Sequence, residues 1–180
     1  MVQFQLEVDV PKTKQVDRQL EDVLEAERFD YTEASQIANV PRHQIVNWVR
    51  RGVLRLDHLP RLHRPSLTIH DLFRLFLGAR LVQLGLPPEV AFGTLLSYGP
   101  KNVFEVASQK AAGSAHWVDD DGCLNTTVYY GPDDETLNRF LSRGAAVVVP
   151  EKHLARELIQ KVVDFLATAE KAQIAPEATG

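Results

Sequence analysis

The residues of this chain best equipped for chemistry gather in one stretch, NVPRHQIVNWVRRGVLRL, from Asn39 to Leu56. Arg42, His43, Val46, Asn47 and Arg50 are spaced so that a helix collects them on one side, with Gln44 and Arg51 beside them. No acidic residue occurs from Pro41 to Arg51, whereas a solvated helix usually interleaves the two signs. Arginine and asparagine have bidentate partners on base edges of the DNA major groove, valine can touch a thymine methyl, and a helix about 10 to 12 Å across fits that groove. A few residues on, Arg61, His63 and Arg64 have the chemistry to sit on phosphate, a contact that positions without specifying. Together these residues predict a surface for double-stranded DNA. The plainer alternative is a solvated face on a structural helical hairpin.

The charge balance of the whole chain hides this concentration. A net charge of −4 and a pI near 5.9 exclude a generally basic nucleic-acid binder. Yet Arg42 to Arg80 hold eight Arg, no Lys and two Asp, a local +6 that leaves −10 for the remaining residues.

Other chemistry finds less support. Four of the six histidines (His43, His58, His63, His70) lie in the basic segment, but their spacing fits no compact ligand set. A single cysteine cannot supply the thiolates of a soft-metal site, so neither metal nor cofactor is expected. Asp119 to Gly122, DDDG, lacks the alternating ligands of a calcium loop and reads as a hairpin turn. Cys123, His116 and His153 have no flanking motif of a nucleophilic enzyme, so no catalysis is expected. Tyr98, Phe104, Trp117, Tyr129 and Tyr130 could line an effector pocket, although core packing is the better reading. The lone thiol, the absence of a signal-peptide pattern in MVQFQLEVDVPK and the lack of an apolar run near the roughly 20 residues that span a bilayer predict a cytoplasmic chain with no membrane partner.

Positioning the basic face requires a helix-turn-helix. The pattern predicts helices from Thr32 to Ala38, Pro41 to Arg51 and Thr68 to Gly85, with Thr32 and Thr68 as N-caps and Asp71 in the first turn of the third. Ile37, Ala38, Val40, Ile45, Trp48 and Val49 would pack together, the small Ala34 and Ala38 allowing close approach. Extended pieces near Leu54–Leu56 and Ser66–Ile69 would form a β-wing carrying Arg61, His63 and Arg64 at its tip. A turn from Gly85 to Pro87, a helix from Pro88 and a stop at Gly99-Pro100 follow.

Beyond that stop the composition changes. SAHWV and CLNTTVYY read as antiparallel strands, DDETLNRFLSRG as a helix from near Asp133 to Gly144, AAVVVP as a buried strand ended by Pro150, and Glu151 to Lys171 as the longest helix. Along that helix Leu154, Leu158, Val162, Phe165, Leu166 and Ala169 form a stripe that would either dimerise the chain or pack on its own sheet. The expected fold class is α+β, an N-terminal winged helix-turn-helix with a helical extension, then a small α+β region ending in a long helix. Its parts are an N-terminal arm or short helix at 1–28, with Val16, Leu20, Val23 and Leu24 at helical spacing, a DNA-binding domain at 29–99, a dimerising or regulatory α+β domain at 100–172 and a disordered tail at 173–180.

The stretch YTEASQIANVPRHQIVNWVRRGVL with RPSLTIHDLFRLFLGARLVQLGLPPEVA resembles the DNA-binding domain of the MerR (mercury-resistance regulator) family over about residues 31–96. The resemblance rests on Val40, Ile45, Gly52-Val53-Leu54, Arg64 with Leu67-Thr68 and Asp71-Leu72, and Leu84-Gly85 with Glu89. It implies a homodimer that regulates transcription on an inverted repeat, with RNA polymerase or a small-molecule effector as further partners. Phage excisionases and small terminase subunits share the winged module, so a mobile-element DNA-binding protein is the alternative, and a non-DNA interaction module the second. The chain departs from the family in the 28 residues before the first helix, in Val46 and Asn47, and in the β-containing region after Gly99-Pro100.

Overall fold

The computed structural model describes residues 14–56, 66–96, 102–109, 111, 113–118, 124–130 and 146–174. They form a mostly helical α+β structure: α1 (Lys14–Ala26), α2 (Tyr31–Ala38), α3 (Arg42–Arg50), α4 (Ile69–Gln83), α5 (Pro88–Leu96), α6 (Val103–Ser108), a sheet of β1 (Gly113–Val118), β2 (Leu124–Tyr130) and β3 (Ala146–Val149), and the long α7 (Glu151–Ile174). The strand order is β2-β1-β3, both pairings antiparallel. The two strands expected around the acidic turn are therefore β1 and β2, and the apolar AVVV run adds the third strand on the far side of β1. The expected helix from Asp133 to Gly144, the turn at 119–122, Cys123, the Gly99-Pro100 stop and most of the 173–180 tail lie outside the described residues; within that tail Gln173 and Ile174 still belong to α7.

Local chemistry explains where the helices begin and end. Asp30, not Thr32, caps α2: its Oδ1 accepts the N–H of Thr32 at 2.6 Å and of Glu33 at 2.9 Å, and Glu33 Oε2 accepts the Asp30 N–H at 2.7 Å. This reciprocal box requires an acid or amide three residues after the cap. Asp30 has Glu33 there, whereas Thr32 has Ser35. Thr68 does cap α4, its Oγ1 accepting the Asp71 N–H at 3.1 Å while Asp71 Oδ2 accepts the Thr68 N–H at 3.0 Å. That helix ends at Gln83 rather than Gly85 because Gly85, at φ 96°, lets the chain turn back, with Leu86 N–H on Leu81 C=O at 3.2 Å and Gly85 N–H on Val82 C=O at 2.9 Å.

One hydrophobic cluster runs from Leu24 in α1 through α2 to α6 to Val149, Leu154, Ala155, Leu158 and Val162. It crosses the expected boundary at residues 99 and 100, so the two predicted domains share a core. α7 is the reason: it packs on α2, α4, α6 and β1. Leu158 and Val162 are fully buried and Leu154 is nearly so, which turns the predicted dimerisation stripe inward. Phe165 and Leu166, at its far end, are half-buried against the same core. Burial at one interface removes those side chains from any other. Among the described residues no helix is long and apolar enough to cross a membrane.

Candidate nucleic-acid interface

The turn between α2 and α3 is made by Asn39, Val40 and Pro41. Asn39 takes the left-handed conformation at φ 53°, which asparagine tolerates better than most residues, and Val40 is buried beneath the turn. Pro41 stands outside α3 as its N-cap, its carbonyl accepting the N–H of Gln44 at 2.9 Å and of Ile45 at 3.3 Å. The helix thus starts one residue later than expected. At its other end Gly52, at φ 71°, closes it: Val53 N–H reaches Trp48 C=O at 2.9 Å and Gly52 N–H reaches Val49 C=O at 3.0 Å.

Two side chains seat α3. Ile45 is fully buried and Trp48 is 6% exposed, its ring 5.0 Å from that of Phe92 on α5 and tilted by 56°. Phe92 in turn fills the notch left by Gly78 on α4, where a Cβ would stand 2.1 Å from its ring. The opposite face is open, with Arg42, His43, Gln44, Asn47, Arg50 and Arg51 exposed and Val46 half-buried. Six predicted contact residues therefore share α3, with a seventh, Arg51, at its C-cap, and all but Val46 are exposed. Arg61, His63 and Arg64 lie outside the described residues.

The expected pairing across the wing is different. Leu67 exchanges both backbone hydrogen bonds with Phe29, at 2.7 and 2.9 Å, and both side chains are buried. The second extended piece thus pairs with the α1–α2 linker instead of with Leu54–Leu56. The first piece is held through Arg74, whose Nη1 donates to Arg55 C=O at 3.1 Å and lies 3.4 Å from Asp71 Oδ1. Asp71 is fully buried, and its other oxygen accepts from the Thr68 backbone and hydroxyl. One carboxylate therefore links the α4 cap to the segment that leaves α3.

The electrostatics of the face depend on residues outside it. Hydrogen bonds from the Glu33 backbone hold the Asp30 carboxyl below its usual range, burial opposes them, and the charge of Arg42 adds to the lowering. Burial pushes the Tyr31 phenol up, with Arg42 acting against it. Glu89 on α5 forms an ion pair with Arg51. Arg50 makes no ion pair among the described residues. The sequence interval is free of acid, but the folded face is not, and Asp30 and Glu89 escaped a reading confined to that interval. Arg55 was missed too, although it is exposed just beyond α3 and belongs to the same basic segment.

Among the described residues no three His, Cys, Asp or Glu side chains are grouped to hold a metal ion. His70 is engaged elsewhere, its Nδ1 accepting the Val103 N–H at 3.3 Å and its Nε2 lying 3.6 Å from Glu25. Of the aromatic set, Phe104 lines a groove of about 510 Å³ with Leu20, Ala107 and Ile159, Trp117 lies on β1, Tyr129 and Tyr130 lie on β2, and Tyr98 falls outside the described residues. Compared with known proteins, the chain matches no family model and no curated protein.

Proposed function

We propose that this chain is a DNA-binding transcriptional regulator in which α3 is the recognition helix of a helix-turn-helix. The observation that carries the reading is the division of α3 into a seated side, Ile45 and Trp48, and an open side bearing Arg42, His43, Gln44, Asn47, Arg50 and Arg51. Arginine and asparagine on one exposed helix face suit base edges and phosphates together. A single helix reads only a few base pairs, so the regulator acts as a homodimer on an inverted repeat. Leu154, Leu158 and Val162 of the α7 stripe are already occupied by the chain's own core. On α1, Leu20 and Val23 are exposed while Leu24 is buried, which makes this helix the next candidate for that contact.

The test is binding to duplexes selected from genomic fragments, measured against salt. Arg50→Ala is expected to weaken binding, and if Arg50 meets phosphate the slope of log affinity against log salt flattens by about 0.9 per lost contact. Unchanged affinity in Arg42→Ala, Arg50→Ala and Arg51→Ala alike would remove α3 from the interface.

A further inference from the structure

Glu89 stands in the first turn of α5, 38 positions from the arginine that it pairs with. Both side chains remain about half exposed, at 51% for Arg51 and 53% for Glu89, so the pair is open to exchange with solvent ions. The carboxylate is nevertheless firmly presented. Phe92, three residues on and therefore on the same side of α5, is 1% exposed and lies between Trp48 and the Gly78 notch. The packing that seats α3 thus also delivers Glu89 to its C-terminal end.

We infer that Glu89 is an internal stand-in for a DNA phosphate: it occupies the Arg51 guanidinium in the free protein and has to be displaced when the helix meets a duplex. The inference rests on the DNA-binding reading above. A carboxylate and a phosphate offer a guanidinium the same pair of oxygens, so the two ligands compete for one fork of donors. An exposed pair of this kind is weak, which makes the exchange reversible. The contact is therefore autoinhibitory and indifferent to base sequence, lowering the capture of any duplex by α3.

The experiment uses the full chain and a short duplex of arbitrary sequence, with affinity read by fluorescence anisotropy over a salt series. Glu89→Gln keeps the shape and removes the charge. It is expected to bind about 2- to 5-fold more tightly per chain at low salt, the range open to an exposed pair, with a salt slope steeper by up to about 0.9. Glu89→Ala should show the same gain, which excludes a new hydrogen bond from the introduced amide. In an Arg51→Ala background the gain should vanish, because there is no guanidinium left to release. An equal gain with or without Arg51 would reduce Glu89 to a general negative charge and overturn the inference, as would no gain in chains whose circular dichroism and melting are native. Failure of the unsubstituted chain to bind any duplex at low salt would instead overturn the DNA-binding reading, and this inference with it.

Discussion

At Gly78 one added methyl group bears on the seat of α3. The Phe92 ring it would strike is buried and already tilted against Trp48, so the ring has no free direction in which to move. Alanine in mid-helix gains about 1 kcal/mol over glycine, while overpacking of a filled core costs about 1 to 3 kcal/mol. With a contact as short as 2.1 Å the second term wins. Gly78→Ala is expected to lower the denaturation midpoint and, on the proposed function, to weaken DNA binding through the shifted Trp48. Adding Phe92→Leu to that variant should recover part of the stability, and a double variant no more stable than Gly78→Ala alone would show that the notch is not the cause. The glycine was plain in the sequence, but only the fold puts an aromatic ring over it.

Helix ends show how far short-range patterns reach. Thr68 was legible as a cap because Asp71 follows at the distance that a capping box requires, and the structure forms that box. In α2 the same rule selects Asp30, two residues before the threonine that the hydroxyl preference suggested. Asp30→Ala is therefore expected to cost about 1 kcal/mol and Thr32→Ala much less, with thermal melts of the two variants as the check. The acid limb follows from the same contacts. The folded carboxyl of Asp30 titrates below its unfolded value, so its contribution is complete above the ordinary carboxylate range and is lost as pH falls through the folded value. The melting difference between the unsubstituted chain and Asp30→Ala should be constant near neutrality and shrink in acid. A difference that persists in strong acid would mean that the charged carboxylate is not what caps the helix.

On the scale of the whole molecule, α7 converts two predicted domains into one packed body. Leu158 is completely buried at the centre of that contact. Leu158→Ala should cost about 2 to 5 kcal/mol, the usual range for a leucine emptied from a core. The loss should appear as a lower urea midpoint that does not depend on protein concentration. A native midpoint accompanied by dissociation in light scattering would restore the stripe to a dimer interface.

What the sequence by itself determined is whatever depends on neighbours within a few positions. The helices α2 to α5 and α7, the three strands, the turn at Asn39 to Pro41, the Thr68 cap and the cationic face of α3 were legible, because hydrophobic period, capping and turn chemistry are short-range, whereas the short α6 gave too brief a pattern to be read. The tertiary structure decided everything that depends on which apolar face meets which. The Leu154–Leu158–Val162 stripe has the same period whether it meets a partner or its own core, so periodicity could not choose between them. Leu67 could pair with Leu54–Leu56 or with Phe29, and the choice followed from burying Phe29 and Leu67 together. The acid-free interval around Arg51 meets Glu89 only because Trp48 and Phe92 pack, a long-range contact that brings a distant carboxylate to a face which carries none in its own sequence.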